Sequence, residues 1–126
     1  MGKFSGDVKA EWLPDGVNMR LLEPLSYTDN SGRVWSAPAG FVTDGASIPE
    51  VFWSLIGSPF TGKYRTAAVL HDAAYRTLGV AKDDADRMLR EASLDLGCPE
   101  WLADVIWQGV HLGGVDAYAR DQREAP

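Results

Sequence analysis

The spacing of apolar residues changes at about residue 45, and this change most constrains the fold. Before it, apolar and polar residues alternate over short stretches, as they do in strands with one buried face. After it, apolar residues recur every three or four positions, which gives a helix one apolar face. We therefore expect an α+β fold in which a β-rich part, about residues 1–45, packs on a helical part, about residues 46–120.

A single domain over residues 1–126 accounts for the whole chain, because that length is typical of one domain. Hydrophobic residues make up 45% and charged residues 24% of the chain. These fractions are close to those of globular proteins and exclude disorder, collagen and coiled coil.

The β-rich part contains two extended stretches, residues 17–27 and 33–42, on either side of the turn-forming run 28–32. This pattern predicts an antiparallel hairpin. Pro24 and Pro38 each lack a backbone N–H, so they favour edge strands or interruptions. A third strand is possible over residues 8–12, before a turn at residues 13–16. We expect a small antiparallel sheet.

The helical part is expected to be a bundle of three to four helices. Ser47 and Glu50 have the spacing of a capping box, which predicts a short helix ending at residues 57–59. Further helices are predicted over 62–78, 83–96 and from 99 to beyond 118, the first two packing antiparallel. The glycines of the last helix predict a bend near residue 113 or a very close helix contact. Residues 121–126 are expected to be frayed.

Charge and residue counts exclude several classes of protein. The net charge is −6 without a basic block, so we expect no nucleic-acid binding. Cys98 is the only cysteine, which rules out an internal disulfide and a multi-cysteine zinc site and favours a reducing compartment. No apolar run is long enough to span a membrane, and the first residues do not resemble a signal peptide. We expect a soluble, unexported protein.

His71 is the strongest candidate for catalysis. It lies on the apolar face of the predicted second helix, where burial keeps an imidazole neutral and able to act as a general base. Asp86, on the next helix, could orient it. Asp72 is turned about 100° away, toward Arg65 and Arg76, and would be free to bind a cation or a ligand.

Each of these residues also has a purely structural interpretation. His71 can be a core histidine, and Asp72 with Arg76 an ordinary i,i+4 helix pair. In residues 40–49, Thr43 or Asp44 could line a site facing the His71 helix, or residues 44–45 could be only a turn and Ser47 only a cap. His111 is expected to pack rather than to ligate.

Several motifs in one order resemble a family of small phage and prophage proteins catalogued as domain of unknown function 1353. The resemblance covers about residues 15–96 and rests on residues 40–49 with Trp53, Gly57, Pro59, Tyr64, Ala67, Ala68, His71, Asp72, Tyr75, Ala85 and Asp86. It implies a phage-associated origin, hence a location in the host cytoplasm or the virion. It implies almost no biochemistry.

A shorter stretch is similar to the active-site helices of calcium-dependent phospholipase A2, which carry His-Asp, then Tyr, then an Asp on the following helix. By that resemblance His71 activates a water, Asp86 orients His71 with help from Tyr75, and Asp72 binds calcium. The disulfides of the secreted enzymes are missing. Their calcium loop has only a loose counterpart in residues 56–62.

Two functions follow as hypotheses. One is a phage accessory hydrolase that cleaves lipid or envelope esters, with calcium as cofactor and with Asp72 and Asp44 as ligand- or metal-binding residues. Further site-lining residues would be Thr43, Ser47 and Tyr64. The other is a non-enzymatic virion, assembly or host-interaction protein in which His71, Asp72, Tyr75 and Asp86 form a buried polar network. The partner is phospholipid in the first case and another phage protein in the second.

Overall fold

The computed structural model describes residues 2–45, 47–56 and 62–126. It confirms the α+β fold, with small antiparallel sheets formed by the first part of the chain and helices formed by the rest. No helix within the described ranges is both long enough and apolar enough to cross a membrane.

The strands form two three-stranded antiparallel sheets instead of the single small sheet expected. The first sheet has the order β1 (Lys3–Phe4), β4 (Leu25–Thr28), β5 (Val34–Ala37), and the second has the order β2 (Ala10–Trp12), β3 (Met19–Leu21), β6 (Val42–Thr43). The stretch 17–27 is therefore divided between the two sheets. The division falls just before β4, where Pro24 cannot donate to a ladder.

The predicted hairpin is present as β4 and β5, paired from Thr28 with Val34 to Leu25 with Ala37. Its turn is held by Asp29, whose Oδ1 accepts hydrogen bonds from the backbone N–H groups of Ser31 and Arg33. Alternate residues of both strands are buried and face the helices. This hairpin provides the apolar surface on which α2 packs.

The helices begin with a 3-10 turn at Glu50–Phe52 that continues into α1 (Trp53–Ile56). Then follow α2 (Arg65–Tyr75), α3 (Lys82–Asp95), α4 (Glu100–Gly113) and α5 (Val115–Glu124). The expected end of the first helix at residues 57–59 lies outside the described residues.

The expected bend near residue 113 is present as an interruption of one residue, Gly114, between α4 and α5. A Cβ atom there would lie 2.6 Å from the carbonyl oxygen of Val110 and 2.8 Å from the hydroxyl of Tyr75. The predicted close contact is also present at Gly109, where a Cβ atom would lie 2.8 Å from the ring of Phe52.

The expectation that residues 121–126 are frayed is wrong for most of this segment. Helix α5 continues to Glu124, and Asp121 is 3% exposed. The side chain of Gln122 donates hydrogen bonds to the carbonyl oxygens of Tyr75 and Thr77, at 2.9 and 2.8 Å. These bonds join α5 to the end of α2.

Helix α2 is the centre of the molecule. All of its residues from Thr66 to Tyr75 are buried, because it packs on the β4–β5 hairpin on one side and on α3 and α5 on others. The segment after α3 returns to the start of α2, as Gly97 lies near Lys63 while Tyr75 contacts Asp86. The α2–α3 pair is therefore antiparallel, as predicted.

Candidate functional site

Ser47, His71 and Asp86 form a continuous hydrogen-bonded chain in the core. The Oγ atom of Ser47 is 3.1 Å from Nδ1 of His71, and Nε2 of His71 is 2.8 Å from Oδ1 of Asp86. The exposed fractions of the three residues are 1%, 0% and 0%. Residues from a loop, α2 and α3 are thus brought together by tertiary packing.

Proton positions along this chain follow from the chemistry of its members. An ionised carboxylate only accepts hydrogen bonds, so Nε2 of His71 donates to Asp86. In neutral His71, Nδ1 then has the free lone pair and accepts the hydroxyl proton of Ser47. This is the tautomer in which a histidine can take a proton from a hydroxyl group.

Asp86 is held ionised by three donors. Burial alone raises the pKa of its carboxyl, but hydrogen bonds from His71, Lys82 and Tyr75 outweigh burial and lower the pKa below its usual value. The Tyr75 hydroxyl donates to Oδ1 at 2.6 Å and the Lys82 ammonium to Oδ2 at 2.7 Å. Burial, followed by the contact with Asp86, raises the pKa of Tyr75, so its hydroxyl stays a donor.

The structure places Asp72 beside Arg76, as the sequence predicted, but in a buried position. Its side chain is 0% exposed, and Arg65 contacts Asp7 instead. Thr43, on β6, donates a hydrogen bond of 2.5 Å to Oδ2 of Asp72, and Arg76 lies 3.4 Å from the same oxygen. Asp72 is buried because β6 packs on this side of α2.

Thr43 and Asp44 lie against α2, as the functional interpretation of residues 40–49 required. Arg76 donates to the carbonyl oxygen of Val42 at 2.8 Å and to Oδ1 of Asp44 at 3.2 Å. Burial raises the pKa of the Asp72 carboxyl. The positive charge of Arg76 and the hydrogen bond from Thr43 oppose this rise, whereas the negative charge of Asp44 adds to it. Asp72, Arg76 and Asp44 therefore form one electrostatically coupled group beside the His71 chain.

The described residues around Asp72 do not fit calcium. Calcium takes six to eight oxygen ligands, whereas Oδ2 of Asp72 is bonded to Thr43 and has a guanidinium group 3.4 Å away. The guanidinium group already supplies a positive charge beside Oδ2, and Oδ1 of Asp72 is a single buried oxygen without a hydrogen-bond partner among the described residues, far short of a calcium shell. Residues 57–61, most of the expected counterpart of a calcium loop, lie outside the described residues.

The capping box predicted at Ser47 is not formed. The N-cap of the 3-10 turn is Pro49, which makes no side-chain cap hydrogen bond, and the Ser47 hydroxyl faces His71. Tyr64 is not brought to the His71 chain either. It precedes α2, about 10 Å along the helix axis from His71, and its hydroxyl contacts Cys98.

His111 packs, as predicted, with its ring stacked on Trp107 at a centroid distance of 4.8 Å. Ligand atoms of Asp83, Asp86 and His111 nevertheless lie within 4.8 Å of one another, a spacing that one metal ion could bridge. The Lys82 ammonium already contacts Asp86 there and two carbonyl oxygens of α4. A protein cation therefore fills this position.

Sequence reasoning missed the parts played by Lys82 and Asp121. The i,i+4 spacing of Lys82 and Asp86 was available as a signal, but surface pairs with this spacing are common and the burial of Asp86 was not visible. Asp121 was assigned to a frayed end. The apolar face that docks α5 beside α2 is too short to stand out in the sequence.

The fold and site together define a small α+β protein with a buried Ser-His-Asp chain at the centre of a helix pair. A family model described as "Protein of unknown function (DUF1353)" matches residues 19–110. Since this match spans well over half of the sequence, the chain belongs to that family.

Two curated relatives come from Sinorhizobium fredii (strain NBRC 101917 / NGR234). Uncharacterized protein y4jT is 38% identical over 96 residues, and uncharacterized protein y4iH is 36% identical over 70 residues. These matches cover 76% and 55% of this chain but 29% of each relative. The chain therefore spans less than a third of their length. No solved structure matches this chain significantly.

Proposed function

We propose that this protein is a hydrolase of carboxylic esters in which Ser47 is the nucleophile, His71 the general base and Asp86 the group that orients it. The observation that carries the proposal is the unbroken chain from Ser47 Oγ through both ring nitrogens of His71 to Asp86. A serine, a histidine and a carboxylate in this connectivity are the parts of an acyl-transfer site, whatever their order in sequence.

The reaction proceeds in two balanced halves. Ser47 Oγ bonds to the ester carbonyl carbon while its proton moves to Nδ1 of His71, and the alcohol then leaves with that proton. Water next attacks the acyl-serine, gives its proton to Nδ1, and releases the carboxylic acid as Ser47 recovers its proton. Asp86 remains ionised throughout and stabilises the imidazolium, supported by Lys82 and Tyr75.

This proposal differs from the calcium-dependent mechanism that the phospholipase resemblance implied. It retains His71, Asp86 and Tyr75 in the roles expected from that resemblance. It replaces the activated water of the first step by Ser47, because that hydroxyl lies within hydrogen-bond distance of Nδ1. It does not use Asp72 as a metal ligand, because Thr43 and Arg76 engage its carboxylate.

The burial of Ser47 limits the access of a substrate. Ser47 is 1% exposed, so an ester can reach it only when the segment that carries Ser47 moves away from its neighbours. Lipid or envelope esters remain the proposed substrate class, supported by the short resemblance to phospholipase A2. The longer resemblance, over residues 15–96, supports a role as a phage or prophage accessory protein in the host cytoplasm or the virion.

A second function is favoured by the same burial. Ser47, His71, Tyr75 and Asp86 are all at most 1% exposed and bonded to one another, which is what a polar network that only fixes the helix pair requires. In this case the protein is a non-enzymatic partner of another protein, and the network has no substrate.

Ester hydrolysis by Ser47→Ala separates the two functions. We expect wild type to hydrolyse p-nitrophenyl butyrate or phospholipid vesicles, and Ser47→Ala to lose at least about a hundredfold of that rate. Ser54→Ala is the control, since Ser54 is an exposed serine on α1. EDTA should leave the wild-type rate unchanged.

Two results would contradict the serine mechanism. Hydrolysis that survives in Ser47→Ala but requires calcium would favour a metal-activated water. Absence of hydrolysis in folded wild type, on both substrates, would favour the structural network.

A further inference from the structure

A mostly apolar row of side chains on α4 faces away from the core. Trp101, Val105, Gln108 and Leu112 follow one another at spacings of four, three and four residues, which places them in one narrow row along the helix. Trp101 is 65% and Leu112 is 76% exposed. The opposite side of α4 faces the core, where Ile106 is 2% exposed. The helix therefore has two apolar sides, of which the fold buries one.

An apolar groove of about 430 Å³ lies at one end of this row, between α4 and residues 49–52. A Cβ atom at Gly109 would lie 2.8 Å from the ring of Phe52, so this glycine lets residues 49–52 approach α4 closely. None of the residues that line the groove is charged. Two of them, Val51 and Leu112, are more than 70% exposed. The groove is open and suits an apolar side chain.

Trp101 and the groove lie at opposite ends of the same row. Leu112, which lines the groove, is eleven residues after Trp101, about 17 Å along the helix axis. A two-fold axis at the middle of the row places a second copy antiparallel, with Trp101 of each copy against Leu112 of the other and Val105 against Gln108. Every contact is then made twice, which is the geometry of the commonest homodimers.

The charges beside the row permit two acidic copies to approach each other. The row itself contains no charged residue. Glu100 and Asp104, the acids next to it, lie 3.8 and 2.7 Å from nitrogen atoms of Arg90. In the antiparallel arrangement the acids of one copy lie beside His111 of the other, because His111 is on the same border at the other end of α4. A histidine and not an acid therefore faces these acids.

The exposed area is sufficient for a weak dimer. An aromatic side chain buries on the order of 150–250 Å², and Trp101 has most of its surface left to cover. Two tryptophans, the groove walls that they cover and the central Val105–Gln108 pairs together remove on the order of 1,000 Å² from solvent, near the lower limit for a specific interface. An interface of this size favours a dissociation constant in the micromolar range.

We propose that α4 is a dimerisation helix and that its partner is a second copy of this chain, bound antiparallel, with Trp101 of each copy in the groove of the other. A lipid surface would also cover apolar side chains, but it would not use a groove at one end of the row and a large side chain at the other. The dimer does not depend on hydrolysis, so Ser47→Ala should dimerise as wild type does.

Sedimentation equilibrium of the full chain measures the dimer directly. We expect wild type to dimerise with a micromolar Kd, and Trp101→Glu and Leu112→Glu each to weaken dimerisation at least about thirtyfold, as the loss of a central anchor does. Leu78→Glu is the matched control, because Leu78 is 66% exposed but lies between α2 and α3, and its Kd should stay within twofold of wild type. Thermal melts check that each variant is folded, and either α4 variant alone is decisive.

Oxidative cross-linking tests the antiparallel arrangement. A mixture of Trp101→Cys and Leu112→Cys should form disulfide-linked heterodimers, because the two new thiols meet at one end while a native Trp101–Leu112 contact remains at the other. Neither variant alone should form a disulfide, since its thiol then faces a leucine or a tryptophan. Cys98 is buried and should not take part.

Three results would overturn the proposal. The first is a wild type that stays monomeric at about 1 mM. The second is a glutamate variant of Trp101 or Leu112 that is folded and dimerises as wild type does. The third is a disulfide in the single cysteine variants and none in their mixture, which would show a parallel pairing. A monomeric wild type that binds phosphatidylcholine vesicles, and loses this binding in Leu112→Glu, would assign the row to a membrane surface instead.

Discussion

The ammonium group of Lys82 donates a hydrogen bond of 2.7 Å to Oδ2 of Asp86, leaving Oδ1 of that carboxylate to His71 and Tyr75. Lys82 also donates to the carbonyl oxygens of Val110 and His111, at 2.9 and 3.2 Å, in the last turn of α4. One cation therefore neutralises the buried carboxylate and also binds two carbonyl oxygens at the negative end of the α4 dipole, of which that of Val110 also accepts the N–H of Gly114.

Lys82→Met should destabilise the protein strongly. Asp86 is fully buried, so removal of its cation leaves a carboxylate whose charge is only partly compensated, at a cost of about 3–5 kcal/mol in the free energy of unfolding. The measurement is urea denaturation at neutral pH. Lys9→Met is the control, because its ion pair with Glu23 is more than 60% exposed on both sides and should contribute less than about 1 kcal/mol. Equal losses in the two variants would contradict the role of Lys82.

Gly114→Ala should destabilise the junction between α4 and α5. A methyl group there would lie 2.6 Å from a backbone oxygen and 2.8 Å from the Tyr75 hydroxyl, so the helices must shift at a cost of about 1–3 kcal/mol. Gly6→Ala, where no atom lies within 4 Å of the new methyl group, should change stability by less than about 0.5 kcal/mol. A thermal melt of both variants measures the difference. A Gly114→Ala protein as stable as wild type would show that the junction is loosely packed.

The contributions of Asp72 and Asp86 to the free energy of unfolding should change with pH in opposite directions. Burial, opposed by Arg76 and Thr43, raises the pKa of folded Asp72 above the usual value of 3.8, so the folded state binds its proton more tightly than the unfolded state. The contribution of Asp72 to stability is then greatest below pH 3.8 and falls as pH rises through the folded pKa. Asp86, whose pKa is lowered, contributes stability above pH 3.8 that is lost as pH falls through its folded value.

Asp72→Asn isolates the first of these effects. The difference in unfolding free energy, wild type minus variant, should be more positive at pH 4.5 than at pH 7.5, because Asn does not titrate. Urea denaturation at the two pH values gives this difference. A difference that is the same at both pH values would contradict a raised pKa for Asp72.

Local patterns predicted much of the fold. The turn formers of residues 28–32 correctly predicted the β4–β5 hairpin, and 3.6-residue spacing predicted α2 and α3 to within a few residues. The start of α4 was also predicted, but α4 and α5 were expected to be one helix with a bend. The second sheet was not predicted as such, because β2, β3 and β6 have only two or three residues each. Strands this short carry little periodicity, and their pairing depends on contacts distant in sequence.

The candidate site was predictable only in part. The pairing of His71 with Asp86, with Tyr75 in support, followed from helical geometry and the phospholipase resemblance. Ser47 was assigned to a cap because its spacing to Glu50 is a local signal, whereas its contact with His71 spans 24 residues. The burial of Asp72 was not predicted, because a helix pattern shows one apolar face and does not show that a strand packs beside it.

Covalent labelling of Ser47 tests the central claim most directly. A fluorophosphonate probe reacts with a serine only when a neighbouring base activates its hydroxyl, and peptide mass spectrometry identifies the modified residue. We predict that wild type is labelled at Ser47 and not at Ser54, and that His71→Gln is unlabelled while still folded. If folded wild type stays unlabelled beside a serine hydrolase that is labelled in the same tube, the Ser47–His71–Asp86 chain is a structural network and the hydrolase proposal is wrong.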